Sequence, residues 1–265
     1  MAGNRIEAAQ AYVDALRTGV PALAKAAGKH LADNVVVQVG NQKVEGRAEA
    51  ERRITGVWPQ TPVYRKGNWQ APREEGDKLL VHASMPPFGA GVQSVDLNFS
   101  FNGAGEITEV QQTNTNNVPL YETDVMPEFV QARVNRALAD DIPLTVTYID
   151  EEGKPSSSLR GSTMAYSDHQ LSIWARSRGG IIKALEKNPY MSLLYRENPT
   201  RSTLVFKGKA HVLAEGQEAL RIHDLTPEVE RNHLTRETGA AIVIDLESVD
   251  GATPEGRVRF RRKVS

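Results

Sequence analysis

Basic side chains surround a short turn between two apolar stretches of the chain. Arg176 and Arg178 stand directly before a helix pattern that contains Lys183. A phosphate is stabilised at the start of a helix because free backbone N–H groups and the positive end of the helix dipole face it. Arginine adds planar, two-point hydrogen bonding to the phosphate oxygens. These residue types at this spacing are compatible with a phosphate-binding site, although taken alone such a pattern is more often a set of solvated surface charges.

Another basic residue, Arg160, ends a serine-rich stretch. Ser156, Ser158 and Arg160 alternate along the chain, so in a β-strand they share one face. Two hydroxyls and a guanidinium on one side suit the same phosphate chemistry. The alternative is a plain exposed strand edge.

Motifs for other kinds of catalysis are missing from the sequence. There is no Walker A loop, no nucleophile elbow around a serine, and Gly89-Ala90-Gly91 lacks the third glycine of a dinucleotide fingerprint. His223 and His233 lie ten residues apart, which is not a metal-binding helical spacing. Nucleoside triphosphate chemistry and metal catalysis therefore have no positive support.

Composition narrows the function further. The chain has 265 residues, no cysteine and a formal net charge of -1, with 32 basic and 33 acidic residues. A near-neutral chain has no global field that attracts nucleic acid or anionic membranes, so we expect neither as a partner. Without a thiol, any redox role must belong to a bound organic cofactor.

The N-terminal stretch argues against export. Charged residues Arg5, Glu7, Asp14 and Arg17 interrupt it, unlike the apolar core of a signal peptide. No apolar run approaches the roughly 18 residues that a membrane span needs. We therefore expect a cytoplasmic protein.

A polar segment divides the chain. Residues 113–119, Thr-Asn-Thr-Asn-Asn-Val-Pro, separate strand patterns from a new helix pattern. We predict two domains of different type, residues 1–117 and 118–265.

The N-terminal domain reads as a helix followed by antiparallel strands. Asn4 and Glu7 have the spacing of a capping box, which predicts the start of an amphipathic helix. Val95, Leu97 and Phe99 alternate with polar residues before an Asn-Gly turn at 102–103, and residues 107–111 return, which predicts a hairpin with one solvated face. This is an α+β pattern.

The C-terminal domain is dominated by strands. A helix begins near Pro127, and further helix patterns cover 181–187 and 227–234. The predicted strands are residues 142–149, 156–166, 171–175, 191–195, 204–213, 241–249 and 257–262. So many strands with few helices favour a small barrel.

Two stretches of this domain carry a family resemblance. They are residues 171–195, with the strand Leu-Ser-Ile-Trp-Ala, the turn Arg-Ser-Arg and the segment Leu-Glu-Lys-Asn-Pro, and residues 201–210, Arg-Ser-Thr-Leu-Val-Phe-Lys-Gly-Lys-Ala. Together with the order of elements over 125–265, they resemble the pyridoxamine 5'-phosphate oxidase-like split-barrel family of flavin-binding proteins.

The resemblance implies a cofactor and its contacts. It implies flavin mononucleotide (FMN), with a deazaflavin as the alternative, and the broader family also contains haem binders. By position, the implied cofactor-binding residues are Arg160, Trp174, Ala175, Arg176, Arg178, Lys183, Ser202 and Thr203. The basic residues of this set would hold the phosphate. The residues that would line the isoalloxazine ring are Trp174, Ala175, Ser202 and Thr203. Because the family's cofactor site lies between two subunits, a homodimer is implied as well.

The chain also departs from the family pattern. Gly179 and Gly180 stand where many members have a lysine or arginine after the basic turn, and the substrate signature of the vitamin-processing oxidases is absent near the C-terminus. The leading hypothesis is an FMN-dependent oxidoreductase acting on a small organic substrate. The alternatives are a deazaflavin-dependent reductase and a protein that binds a flavin or another small molecule without turnover.

The N-terminal domain resembles another fold. The phrases Leu-Ala-Asp-Asn-Val at 31–35 and Gly-Arg-Ala-Glu at 46–49, with the opening helix and closing hairpin, resemble the SnoaL-like, nuclear-transport-factor-2-like cone fold. The resemblance implies a pocket that helps to bind or shield the substrate, or is itself the active site while the barrel only dimerises. Candidate pocket residues are Tyr12, Asp33, Trp58, Trp69 and His82.

Asp33 and His82 could form an acid/base pair in that pocket, because a carboxylate can orient an imidazole that titrates near neutrality. The alternative gives Asp33 a turn-capping role and His82 a structural one. The predicted architecture is α+β overall, a cone-shaped α+β barrel followed by a split β-barrel.

Overall fold

The computed structural model describes residues 2–56, 61–87 and 91–262, and the chain divides into two compact units. Unit 1 is Met1–Asn117 and unit 2 is Val118–Ser265, so the division falls within the polar segment 113–119. Each unit has one large sheet, and eight helices lie in the described part of the chain. The α+β class is therefore confirmed.

Unit 1 packs helices against a seven-stranded sheet. Its helices are α1 (Ala2–Thr18), α2 (Pro21–Gly28), α3 (Arg47–Gly56) and α4 (Thr61–Lys66). Its strands are β1 (Leu31–Val39), β2 (Gln42–Glu45), β3 (Asn68–Trp69), β4 (Arg73–Glu75), β5 (Lys78–Ser84), β6 (Ser94–Phe101) and β7 (Ile107–Thr115). The strand order is β2-β1-β7-β6-β5-β3, with β4 beside β5.

The β6–β7 hairpin confirms the alternation seen in the sequence. Val95, Leu97 and Phe99 are fully buried on the inner face, and the residues between them lie on the outer face. In the turn, Asn102 Oδ1 accepts two backbone N–H groups at 3.0 Å each. The side chain that predicted the turn therefore also stabilises it.

Two predictions for unit 1 are wrong. Helix α1 begins at Ala2, so Asn4 lies inside the helix and does not cap it. Strand β1 pairs parallel to β7, with Val37 beside Val110, so the sheet is mixed and not wholly antiparallel. The two partners are separated by residues 40–106, and this long-range pairing leaves no local trace in the sequence. The cone shape of this unit stays a prediction.

Unit 2 contains the larger sheet. Its helices are α5 (Glu128–Arg136), α6 (Gly180–Lys187), α7 (Gln217–Leu225) and α8 (Glu228–His233). Its strands are β8 (Leu120–Thr123), β9 (Leu144–Ile149), β10 (Pro155–Arg160), β11 (Met164–Ala165), β12 (Gln170–Arg176), β13 (Tyr190–Glu197), β14 (Ser202–Leu213), β15 (Gly239–Ala252) and β16 (Arg257–Arg261).

The sheet of unit 2 curls around one core. Its order is β10-β9-β13-β14-β15-β12-β11, with β16 beside β15 and β8 beside β16. Val146, Ile173, Leu193, Phe206 and Ile244 come from five of these strands and are all fully buried in the same cluster. In the described residues, the end strands β10 and β11 each pair with one neighbour, so the sheet does not close. This arrangement fits a split barrel.

A close approach of two strands requires glycine at the centre of unit 2. The β14–β15 pairing shifts register between Lys207 and Gly208. A Cβ at Gly208 would overlap the carbonyl oxygen of Asp245. Glycine therefore lets the two longest strands stay in contact through the irregularity.

Two elements of unit 2 differ from the sequence prediction. The predicted strand 156–166 is interrupted at residues 161–163 and forms β10 and β11. Helix α7 was not predicted, because only Ala219, Ile222 and His223 of its nine residues are buried. Throughout the described residues, every helix is too short or too polar to traverse a lipid bilayer.

Candidate functional site

The end of β10 carries two buried polar atoms that have no hydrogen-bond partner. Ser158 lies opposite Val146 and Arg160 opposite Leu144, and both of these partners belong to the barrel core. Ser158 and Arg160 therefore share the inner face of the sheet, as their spacing predicts. Ser158 Oγ and Arg160 Nε are buried and unpaired in the described part of the chain.

One hydrogen bond joins the end of β10 to the end of β12. Ser162 Oγ donates to the carbonyl oxygen of Trp174 at 2.8 Å, and Thr163 Oγ1 donates to that of Arg160 at 3.2 Å. Strand β12 ends two residues after Trp174, at Arg176. The turn after Arg160 therefore lies against the final residues of β12.

A tight turn then leads into α6. The N–H of Gly179 donates to the carbonyl oxygen of Arg176 at 2.9 Å, and Gly179 is the residue that precedes the helix. No side chain caps the first turn of α6. Ile181 and Leu185 anchor the helix in the barrel core. The uncapped start of α6 therefore lies a few residues after the end of β12, where Ser162 donates to the Trp174 carbonyl.

The basic residues of this region are not neutralised. Arg176, Arg178 and Lys183 are exposed, and Arg160 is half-buried. In the residues that the structure describes, none of the four has a carboxylate within 4.0 Å. The positive potential at this end of the barrel is therefore available to a ligand.

The four residues predicted to line a flavin ring have packing partners within the chain. Trp174 is 3 % exposed, and its Nε1 donates to the carbonyl oxygen of Leu234 at 2.8 Å. Ala175 lies in the barrel core. Ser202 is fully buried, with its Oγ 2.7 Å from Thr200 Oγ1. Thr203 Oγ1 accepts from the Arg196 guanidinium at 2.6 Å. Contact with a ring stays a prediction for all four.

The placement of these residues fits the phosphate of FMN better than its isoalloxazine ring. An orphaned guanidinium N–H and a hydroxyl, three exposed basic residues and an uncapped helix start are the donor set that a phosphate needs. The side chains implied for the ring already pack against other parts of the chain. The described residues therefore fit the phosphate of FMN and not its ring.

In unit 1, Asp33 and His82 do not form the acid/base pair that was one of their two alternatives, because each side chain has another charged partner. Asp33 is exposed and its Oδ1 lies 3.0 Å from the Arg47 guanidinium. His82 Nδ1 lies 2.7 Å from Asp96 Oδ1, so the ring donates to that carboxylate. His82 on β5 and Asp96 on β6 lie opposite each other on the outer face of the sheet. Only the strand register reveals the partner, although Asp96 already belonged to the polar face of the predicted hairpin.

Two of the aromatic candidates of unit 1, Tyr12 and Trp69, lie in its core or pack against it. Tyr12 is buried edge-on against Phe99, and Trp69 Nε1 donates to the carbonyl oxygen of Tyr64 at 2.7 Å. Burial raises the pKa of both Tyr12 and Tyr64, so both phenols stay protonated at neutral pH. Trp58 lies outside the described residues. In the described part of the chain, no three His, Cys, Asp or Glu residues are grouped to hold a metal ion.

Comparison with known proteins gives structural neighbours only. No protein family and no curated protein matches the sequence. A pyridoxamine 5'-phosphate oxidase-related, FMN-binding protein from Nostoc punctiforme is 12% identical over 48% of this chain and 81% of its own, with a TM-score of 0.39. A general stress protein 26-related protein of the pyridoxinephosphate oxidase family from Clostridium acetobutylicum is 12% identical over 51% of this chain and 96% of its own, with a TM-score of 0.39.

An F420 reductase is also similar, with 12% identity over 47% of this chain and 98% of its own and a TM-score of 0.36. The neighbours over about half the chain are thus pyridoxamine 5'-phosphate oxidase-like proteins. At these identities and TM-scores they assign no activity to the chain. Function has to be inferred from its own side chains.

Proposed function

We propose that unit 2 binds FMN by its phosphate, held by Arg160 and Ser158 at the end of β10 and by the basic residues at the start of α6. The observation that carries the proposal is the pair of buried, unpartnered polar atoms, Ser158 Oγ and Arg160 Nε. A buried donor without a partner costs about 1–3 kcal/mol, more when charged, so it persists where a ligand completes its hydrogen bonds. Arg176 and Arg178 would supply further charge.

The proposed activity is that of an FMN-dependent oxidoreductase acting on a small organic substrate. FMN would supply the electron-transfer chemistry, which a chain without cysteine has no thiol to perform. The chain would anchor the phosphate and fix the position of the cofactor. A deazaflavin is the alternative cofactor, because it also carries phosphate.

A homodimer is part of this proposal. Leu159 and Leu194 flank Thr145 on the outer face of β10, β9 and β13, and they are 65% and 37% exposed. Apolar side chains that neighbour each other on an open sheet face suit a second copy of the chain. Light scattering should show a dimer, and Leu159→Glu should shift it towards monomer. A wild-type monomer would overturn this part.

The test of FMN binding is a titration of the full chain followed by flavin fluorescence and the visible spectrum. Arg160→Gln and Arg178→Ala should each weaken FMN binding by about tenfold or more, since each removes a charge-assisted hydrogen bond. Arg136→Gln is the matched control, because Arg136 is an exposed arginine on α5 paired with Asp140. Riboflavin, which lacks the phosphate, should bind more weakly than FMN.

Equal binding of FMN and riboflavin would contradict the phosphate assignment, as would unchanged FMN affinity in both variants. The same titration with F420 distinguishes the deazaflavin alternative.

A flavin-binding protein without turnover is the second candidate function. The observation that favours it is the use of Trp174, Ala175, Ser202 and Thr203 in the chain's own packing. Reduction of the bound flavin by NADH or NADPH, followed at its visible band, discriminates the two. Reoxidation by an added organic acceptor supports the oxidoreductase, and a flavin that stays oxidised supports simple binding.

A further inference from the structure

A polar cleft in unit 2 lies between α7 and α8. It has a volume of ≈ 480 Å³ and is bounded by the end of α7, by α8 and by the segment that follows α8. Its lining residues are polar: His223, Glu228, Arg231, Asn232, Thr235, Arg236 and Glu237. None of them belongs to the proposed FMN site, so the inference below does not rest on that function.

One side of the cleft is formed by Arg231. In the described residues, Arg231 Nε is buried without a hydrogen-bond partner, and no carboxylate lies within 4.0 Å of the guanidinium, although Glu228 and Glu237 line the same cleft. The Arg231 charge is therefore not neutralised by a close ion pair, and an oxygen of a bound molecule would be attracted to the guanidinium.

Three other residues beside the cleft form a hydrogen-bonded cluster. Arg236 Nη2 donates to Asp224 Oδ1 at 2.7 Å, and Arg236 Nε lies 3.3 Å from His223 Nδ1. His223 is 9% exposed and packs edge-on against Trp174, with ring centroids 5.0 Å apart. Arg236 retains unused N–H donors of its five, so a planar carboxylate could be bound by two arginines.

The charges of the lining select the class of ligand. Asp224 pairs with Arg236 and also lies 3.1 Å from His223 Nδ1, which leaves Arg231 together with Glu228 and with Glu237, whose carboxylate already accepts a hydrogen bond from Thr235. A simple anion would be attracted by Arg231 and repelled by these carboxylates, whereas a molecule that also carries an ammonium group satisfies both signs. Asn232 and Thr235 add neutral hydrogen-bonding groups for a polar side chain.

We propose that this cleft binds a zwitterionic amino acid with a polar side chain. Its carboxylate accepts hydrogen bonds from Arg231 and Arg236, and its ammonium group lies against Glu228 and Glu237. The site shares no lining residue with the proposed FMN phosphate site and requires no flavin, although Glu230 of α8 lies beside Gly161, the residue after Arg160.

Titration calorimetry of the full chain with L-glutamine as the probe tests the proposal. Two analogues dissect the ligand: 4-carbamoylbutanoate lacks the ammonium group and 4-aminobutanamide lacks the carboxylate. We expect a dissociation constant on the order of millimolar for L-glutamine, and binding at least about tenfold weaker for each analogue, because each lacks one charged contact.

Variants test the residues. Arg231→Gln should weaken L-glutamine binding by about tenfold or more, and Arg231→Lys, which keeps the charge, should retain part of the affinity. Arg73→Gln is the control, since Arg73 is an exposed arginine of unit 1. Circular dichroism and thermal unfolding verify that each variant is folded. If Arg231→Gln does not fold, the Arg231→Lys variant and the two analogues still decide.

Several results would overturn the proposal. These are the absence of L-glutamine binding to the wild-type chain, unchanged affinity in Arg231→Gln, and equal binding of 4-carbamoylbutanoate, which would make the cleft a plain carboxylate site. FMN titration in parallel separates the two proposals, because Arg178→Ala should leave L-glutamine binding unchanged and Arg231→Gln should leave FMN binding unchanged.

Discussion

The two units treat their buried polar side chains differently. In unit 1, Gln112 is 7% exposed, and its Nε2 donates to Tyr64 Oη and to Asn114 Oδ1 at 2.8 Å each. In unit 2, four buried side-chain atoms have no partner within the described residues: Ser158 Oγ, Arg160 Nε, Ser172 Oγ and Arg231 Nε. Since an unpaired buried group costs free energy, the orphans mark where unit 2 gives up stability. Both proposed ligand sites lie at such orphans.

Among the described residues, unpartnered buried side-chain atoms occur at these four positions and are not a general property of unit 2. Arg133 on α5 donates to Glu197 and to Glu255 at 2.8 Å each, and its side chain is 18% exposed. Thr200 Oγ1 completes the hydrogen bonding of Glu197 at 2.5 Å. The same unit therefore satisfies a charged cluster where its role is structural.

The largest effect on stability should follow from breaking that satisfied cluster. Arg133→Met leaves Glu197 and Glu255 without their cation, and we expect a loss of about 2–3 kcal/mol in the free energy of unfolding, at the low end for buried pairs because Glu255 is partly exposed. Urea unfolding measures it.

Arg136→Met is the matched control on the same helix. Arg136 is 72% exposed and pairs with Asp140 four residues on, so its loss should change stability by less than about 0.5 kcal/mol. If the two substitutions cost the same, the Arg133 cluster is not the satisfied structural network that the comparison requires.

The next largest loss of stability should follow from breaking the hydrogen bonds of Gln112 in unit 1. Gln112→Leu keeps the volume of the side chain but removes the hydrogen bond to the Tyr64 hydroxyl. We expect a loss of about 1–2 kcal/mol, the usual cost of leaving a buried group unpaired. Gln111→Leu places the same substitution on the exposed face and should change stability by no more than about 0.5 kcal/mol. A neutral Gln112→Leu would mean that unit 1 tolerates orphans as unit 2 does.

Local signals predicted most of the fold, and long-range contacts account for the misses. The β6–β7 hairpin could be predicted because alternation and an Asn-Gly turn lie within fifteen residues. The parallel pairing of β1 with β7 could not, because it depends on how residues 40–106 return to β1. Helix α7 was missed because its buried face is only three residues wide.

The candidate sites also combine features that local spacing predicts with features that depend on long-range contacts. The basic turn before α6 and the shared face of Ser158 and Arg160 follow from spacing alone. The link between the end of β10 and the end of β12 is the hydrogen bond from Ser162 to the Trp174 carbonyl, which no local pattern shows. The partner of His82 is hidden from the sequence for the same reason, since the register of β5 and β6 puts Asp96, and not Asp33, beside His82.

A smaller effect is expected from pH. Burial opposes ionisation of Glu255, but hydrogen bonds from Arg133 and Thr253 outweigh it and hold the pKa below its ordinary value of 4.5. A carboxyl with a lowered pKa stabilises the fold above pH 4.5 and loses this contribution as the pH falls through the folded-state pKa.

Glu255→Gln should therefore lower stability by about 1 kcal/mol at pH 7, a figure reduced for the partial exposure of the pair, and the difference from wild type should shrink as the pH falls through the folded-state pKa of Glu255. Unfolding curves at a series of decreasing pH values measure it. A difference that persists in acid would show that Glu255 acts through packing and not through its charge.

The smallest effect provides the sharpest comparison, because two serines of unit 2 differ only in their hydrogen bonds. Ser162 and Ser172 are each 1% exposed. Ser162 Oγ donates to the Trp174 carbonyl at 2.8 Å, whereas Ser172 Oγ is one of the four orphans. Ser162→Ala should cost about 1 kcal/mol, and Ser172→Ala should be neutral or stabilise by up to about 1 kcal/mol, since it removes an unpaired hydroxyl. Equal losses in the two variants would show that the Ser172 hydroxyl is hydrogen-bonded in solution, and the contrast between the units would then rest on Ser158, Arg160 and Arg231, the three orphans that lie at the proposed ligand sites.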